Sequence, residues 1–147
     1  LAKYFANVIL LIVSILPTFI YLLSIYFLGV PKGNIDFGAI WGSYLGLFFL
    51  GATFVSIGIF CSLLTDNQIV SFILSVLISF ILWLGFDFIY SFDVFGSFGQ
   101  IMKWFGIDHH YASISRGVID TRDLLYFVSV ITLFLLFSRL RLQSRKW

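Results

Sequence analysis

Four long stretches of this 147-residue chain contain no Asp, Glu, Lys or Arg, and this absence constrains the fold most strongly. The stretches run from Tyr4 to Pro31, Phe37 to Thr65, Asn67 to Phe86 and Leu124 to Ser138. A helix that crosses the hydrocarbon core of a bilayer needs about 20 predominantly apolar residues. The sequence therefore predicts four membrane-spanning helices, at approximately residues 4–29, 37–64, 68–90 and 122–140.

The composition excludes a soluble globular domain. Hydrophobic residues make up 61% of the chain and charged residues only 11%, whereas a soluble domain is about half apolar and a quarter charged. The predicted fold is an all-α membrane protein in which residues 1–147 form a single transmembrane domain. The formal net charge of +2 is too small to indicate a nucleic-acid partner, so the partner that composition does indicate is the lipid bilayer.

Basic residues at the two ends of the chain predict its orientation. Lys3 precedes the first span, and four basic residues follow the fourth, namely Arg139, Arg141, Arg145 and Lys146. By the positive-inside rule both ends are cytoplasmic. An even number of spans also requires both ends on one side of the membrane. Because the chain begins with Leu rather than Met, we interpret it as a fragment of a longer protein or a trimmed chain.

Small residues recur every four positions in the second span. Gly38, Gly42 and Gly46 share one helix face, where two membrane helices can approach closely. Helix packing is the simpler interpretation of this stripe, and a flexible or rotating interface is the alternative. In the first span, Pro17 lacks a backbone donor and predicts a kink.

Serines repeat with the same spacing in the third span. Ser71, Ser75 and Ser79 either bond back to their own helix or line a translocation surface, and both interpretations stay open. A short cytoplasmic turn precedes this span. Its Thr65 or Asp66 is expected to cap the helix that follows.

An outer insert at residues 91–121 separates the third and fourth spans. Its mixture of aromatic and charged residues is typical of short helices that lie at the level of the lipid headgroups. Asp120 and Asp123 then have the spacing of a capping box at the start of the fourth span. The aromatic residues of the insert are Phe92, Phe95, Phe98, Trp104, Phe105 and Tyr111.

Three titratable residues form a candidate outer gate. Asp87 ends the third span, where a solvated or capped carboxylate is the simpler interpretation. His109 and His110 are adjacent, and neighbours on a helix point about 100° apart, so one metal ion cannot readily bind both. A pair of surface residues is the simpler interpretation, and a pH-sensitive outer gate is the alternative.

The sequence lacks the motifs of common enzymes. It contains no phosphate-binding loop with Lys followed by Ser or Thr, no CxxC, and no HExxH, since Glu is absent. Cys61 is the only cysteine and is interpreted as a small packing residue. We therefore predict no catalytic, cofactor-binding or metal-binding residues and no enzymatic activity.

Two segments resemble a known family. YLGLFFLGATFVSIGIFCSLLTDNQIV (Tyr44–Val70) resembles the central helices of export-type ABC transporter permeases. RGVIDTRDLLYF (Arg116–Phe127), followed by a span and a basic end, is the second match. Together they are most similar to the permease subunit of the gliding-motility-associated ABC transporter of Bacteroidetes, and the resemblance covers nearly the whole chain.

The resemblance implies a six-span permease of which this chain carries the last four spans. It implies short outer re-entrant helices before the last span, and a bacterial inner-membrane location. The implied partners are an ABC ATPase subunit and a second permease, identical or different. The segment expected to contact the ATPase would precede the first span of this chain. The alternative function is a non-transport scaffold or anchor in a motility or secretion assembly.

Overall fold

The chain folds as a succession of helices in the computed structural model, which describes residues 1–91 and 97–144. The secondary structure of these residues is entirely helical apart from turns, as the composition predicted. Phe92, Phe95, Arg145 and Lys146 lie outside the described residues. The α-helices of the described part are α1 (Ala2–Ile15), α2 (Phe19–Leu28), α3 (Phe37–Leu64), α4 (Gln68–Phe80), α5 (Phe86–Ser91), α6 (Ser97–Trp104), α7 (Ile107–Ser115) and α8 (Thr121–Ser144).

Four helical segments are long and apolar enough to cross a membrane, as predicted. They are Ala2–Leu28, Phe37–Leu64, Gln68–Ser91 and Thr121–Ser144. The fourth continues to Ser144, four residues beyond the predicted end at residue 140. Basic residues are good helix formers, and their long side chains reach the interface from within the last turns, so they do not end the helix.

The first span changes geometry at Pro17. A 3₁₀ helix at Leu16–Thr18 interrupts the α-helical pattern between α1 and α2, because proline offers no N–H to the preceding turn. The interruption lies against α3. Thr18 Oγ1 is 3.1 Å from the hydroxyl oxygen of Tyr44, and the Phe19 ring stacks on Tyr44 with centroids 4.7 Å apart.

The third span contains a π-helical turn at Ile81–Gly85, which the sequence analysis did not predict. Such turns are rare and often occur at functional sites. This one carries Trp83, whose ring packs against Phe54 of α3 at 6.4 Å and against Tyr111 of α7 at 5.3 Å.

Helix α3 lies at the centre of the bundle and packs against α1, α4, α7 and α8. It runs parallel to α8, since Phe49 contacts Phe127 and Phe60 contacts Phe134 further along both helices. The fully buried side chains of the outer core are Ile107, Ile114 and Phe127. We call the end of the bundle where α3 and α8 begin the outer end, and the opposite end the inner end, following the predicted orientation.

The cap of α4 is Asn67, so the prediction of Thr65 or Asp66 was wrong. Asn67 Oδ1 accepts hydrogen bonds from the N–H groups of Ile69 and Val70. Asn67 directly precedes the helix, and from that position its side chain can reach the N–H groups two and three residues further on. The Thr65 hydroxyl supports the preceding turn by accepting the N–H of Asn67 at 3.2 Å.

Candidate functional site

The closest helix contact at the outer end joins α3 to the end of α7 through two glycines. A Cβ atom placed on Gly42 would lie 2.5 Å from Gly117 Cα and 2.7 Å from the Ile114 carbonyl oxygen. Gly117 has a φ of +85°, and a Cβ there would lie 2.8 Å from Ala39 Cα. All of these neighbours are backbone atoms, so a side chain at either glycine would force the helices apart.

The other two glycines of the stripe have different surroundings. Gly46 is buried, and a Cβ there would meet Ile114 Cγ2 at 3.1 Å and Tyr111 Cε2 at 3.3 Å. Gly38 has only the Asp36 carboxylate within reach of its own Cβ position. Because Gly42 meets the end of α7 and Gly46 meets its middle, α7 runs antiparallel to α3.

A second set of contacts closes the turn between α6 and α7. His110 Nε2 lies 2.8 Å from the Trp104 carbonyl oxygen, and the Tyr126 hydroxyl donates to the Phe105 carbonyl. The Tyr126 ring also stacks on His110, with centroids 4.0 Å apart. The last carbonyls of a helix have no partner within it. His110 and Tyr126 therefore supply donors to the end of α6.

The remaining nitrogen of His110 pairs with α8. Nδ1 lies 2.7 Å from Oδ1 of Asp123, and the two side chains are only 14% and 11% exposed. A carbonyl only accepts, so Nε2 must carry a hydrogen to bond to Trp104. A bond between Nδ1 and the carboxyl group needs a second hydrogen. The imidazole of His110 therefore bridges the end of α6 and the first turn of α8.

The pairing with His110 changes the expected role of Asp123. A capping box requires the residue three positions after the cap to reach back toward it, and the Asp123 carboxyl contacts His110 instead. The predicted capping role of Asp123 was therefore wrong, because the fold places His110 of α7 within hydrogen-bond distance of its carboxyl group. Asp120 does act at the helix start, where its carboxylate accepts the N–H of Arg122 at 3.0 Å.

The structure does not join the three residues of the predicted gate into one cluster. His109 is exposed, as the surface interpretation requires, and its ring contacts that of His110 at 5.3 Å. His110 itself is mostly buried, so the surface interpretation does not fit it. Asp87 is half-buried in α5, and no hydrogen bond or ion pair within residues 1–91 and 97–144 links it to either histidine.

The serine repeat of the third span is divided between two environments. Ser75 and Ser79 line a groove of about 490 Å³ between α3 and α4, together with Phe54 and Trp83. The Ser75 hydroxyl donates to the Phe72 carbonyl of its own helix at 2.8 Å. Ser71 is buried and is not part of the groove.

A larger cavity, of about 670 Å³, lies at the inner end of the bundle. It is enclosed by the start of α1, the end of α3 and the second half of α8. Lys3, Tyr4, Ile59, Leu63, Leu135 and Arg139 are among the residues that line it.

The sequence analysis did not identify Gly117 or Tyr126 as site residues, although the local sequence pattern around each one points to its position. A glycine directly after the last residues of a helix is typical of a left-handed C-terminal cap, and Gly117 follows α7 in this way. Asp123 and Tyr126 are three residues apart, so they share one face of α8. What these residues contact across the bundle has no signal in the local sequence.

Comparison with protein-family models, with curated proteins and with solved structures finds no match. Among the described residues, no group of three or more His, Cys, Asp or Glu side chains is arranged to hold a metal ion.

Proposed function

We propose that the chain is part of the membrane-spanning permease of an ABC-type exporter, in an assembly that serves gliding motility. The protein lies in a bacterial inner membrane with both ends of this chain in the cytoplasm. A separate ATPase subunit binds and hydrolyses ATP. A second permease, identical or different, completes the membrane core, and rocking of the two permeases moves the substrate.

The observation that carries the proposal is the outer pair of short helices, α6 and α7. The resemblance implies short outer helices that fold back into the membrane before the last span. Helix α7 supports this because two of its side chains, Ile107 and Ile114, are fully buried between the spans. An amphipathic helix lying on the headgroups would leave its apolar face in lipid.

Helix lengths indicate how deep this pair would lie. Helix α3 has 28 residues and is therefore about 42 Å long, whereas the hydrocarbon core is about 30 Å thick. Tyr111 of α7 lies against Gly46, about 14 Å from the outer end of α3, and antiparallel α7 begins about 6 Å deeper at Ile107. If α3 is centred on the bilayer, the turn between α6 and α7 lies about 14 Å below the outer boundary.

Non-helical backbone at that depth requires internal hydrogen bonds. The bonds from His110 and Tyr126 to the last carbonyls of α6 meet this requirement. Together with the glycine contact they join α3, α7 and α8 into one rigid group, which is the kind of body that rocking requires. The groove beside Ser75 and Ser79 is then a candidate contact for substrate on the face of α4.

Co-purification of the full-length protein with a co-expressed ABC ATPase subunit from the same organism tests the proposal. We expect a stable complex in which the permease stimulates ATP hydrolysis. Failure of the two proteins to associate would contradict the proposal. Stable association without any stimulation, with the motility assembly intact in an ATPase-dead strain, would favour the scaffold instead.

A further inference from the structure

We infer that the cavity at the inner end binds an anionic phospholipid, with the phosphate group between Lys3 and Arg139 and the acyl chains against the apolar walls. This inference does not depend on the transport function. The cavity volume of about 670 Å³ lies within the range of roughly 300–1,000 Å³ that is typical of small-molecule sites.

The walls of the cavity suit acyl chains. Helices α1 and α8 each pack on α3, and six of the fourteen residues that line the cavity between them are Leu or Ile. Two of the lining residues, Leu136 and Leu142, have side chains that are 52% and 50% exposed. In a membrane, such surface is covered either by lipid or by another helix.

The charges of the cavity select a particular lipid. Lys3 and Arg139 both line it, and no acidic side chain does so among its described residues. The polar groups of the walls are largely occupied, since Ser138 donates to the Phe134 carbonyl and Thr132 to the Val128 carbonyl. Neither Lys3 nor Arg139 forms an ion pair with a carboxylate within residues 1–91 and 97–144. Two such cations at the end of a span attract an anionic headgroup, and basic pockets between membrane helices bind such lipids.

The test compares two lipids with identical acyl chains, phosphatidylglycerol and phosphatidylcholine. Both are added in equal amounts to the purified full chain, and retained lipid is counted by native mass spectrometry. Two basic residues near an anionic headgroup should together give roughly a thirtyfold preference for phosphatidylglycerol over phosphatidylcholine. We expect that preference in the unmodified protein and its loss in the Lys3→Gln/Arg139→Gln double variant.

Two further variants separate the cavity from the general basic surface. Arg141 lies at the same end of α8 but does not line the cavity, so Arg141→Gln should keep the preference. Leu135→Trp should fill the cavity and reduce retention of both lipids, while circular dichroism shows unchanged helicity. Equal retention of the two lipids, unchanged preference in the double variant, or no loss in Leu135→Trp would each overturn the inference. Absence of retained lipid, as expected if a second copy of the chain occupied the cavity, would also overturn it.

Discussion

The outer and inner ends of the bundle differ in how their helices are held together. At the outer end, backbones meet at Gly42 and Gly117, and side chains satisfy the last carbonyls of α6. At the inner end, α1 and α8 enclose a cavity of about 670 Å³. Backbone contact and directional hydrogen bonds specify one arrangement, whereas a lipid-filled gap between helices tolerates several. The comparison predicts that substitutions at the outer end cost more stability than substitutions around the inner cavity.

The largest effect is expected at the glycine contact. Replacing Gly42 by Ala places a methyl group against backbone atoms of α7, and overpacking of this kind costs about 1–3 kcal/mol or more. Thermal unfolding of the purified protein in detergent should show a clear drop in the midpoint. Gly58→Ala on the same helix is the control, because within the described part of the chain no atom beyond the helix's own backbone lies within 4 Å of its Cβ position.

Gly42→Leu extends this prediction to function. A larger side chain cannot be accommodated between α3 and α7, so assembly with partners or transport should fall further than in the alanine variant. Normal assembly and transport in Gly42→Leu would show that close approach at this point is not needed. Equal loss of stability in Gly42→Ala and Gly58→Ala would remove the distinction between contact and open space.

The second-largest effect is expected for His110→Ala. It leaves the Asp123 carboxyl group and the Trp104 carbonyl without their partner, and leaving a buried polar group unsatisfied costs about 1–3 kcal/mol. We place the effect toward the lower end of that range because both side chains retain some exposure. The measurement is the free energy of unfolding in detergent.

His109→Ala is the matched control for the adjacent position, since His109 is exposed. It should change stability by less than about 0.5 kcal/mol. If the two alanine variants unfolded alike, the pairing of His110 with Asp123 would contribute nothing to the stability of the outer end.

A smaller effect is expected for Tyr126→Phe. The variant keeps the stacking on His110 but loses the hydrogen bond to the Phe105 carbonyl. This hydrogen bond is exposed, so its loss should cost about 0.5–1.5 kcal/mol, the net contribution of a typical intramolecular hydrogen bond. Hydrogen exchange of the amides at the end of α6 should increase while the rest of the bundle stays protected. Tyr21→Phe, at an exposed position of α2, is the control and should leave exchange unchanged.

The smallest effect is expected at the inner end. Arg139 is exposed and lines the cavity, so Arg139→Gln should change the free energy of unfolding by less than about 0.5 kcal/mol in lipid-free detergent. A loss as large as that of His110→Ala would mean that the inner end is as tightly specified as the outer end. The measurement is the same detergent unfolding titration.

Local features of the fold were predictable, and contacts between helices were not. Pro17 marked the change of geometry in the first span, because the missing N–H is a property of that residue alone. The cap of α4 was assigned one or two residues too early, since Thr65, Asp66 and Asn67 are all good capping residues. What distinguishes them is where the first helical turn begins, which is at Gln68. The π-helical turn around Trp83 has no comparable signal.

The candidate site shows the same division. The glycine spacing predicted a face for close approach, and Gly42 and Gly46 do face α7. Gly117, the other half of that contact, lies 75 residues further along the chain and could not be paired with Gly42 from the sequence. The adjacent histidines suggested a surface pair, yet one is exposed and the other is held by Asp123 and Trp104.

The sequence by itself determined the helical class and the four membrane-spanning segments, because hydrophobicity over 20 residues decides whether a segment is stable in lipid. Only the tertiary structure decided that α7 lies between α3 and α8, that His110 closes the turn after α6, and that a basic cavity remains at the inner end. Lipid is as apolar as the spans themselves, so hydrophobicity does not choose which helix faces meet. Shape and hydrogen bonding make that choice, and both depend on residues far apart in the chain.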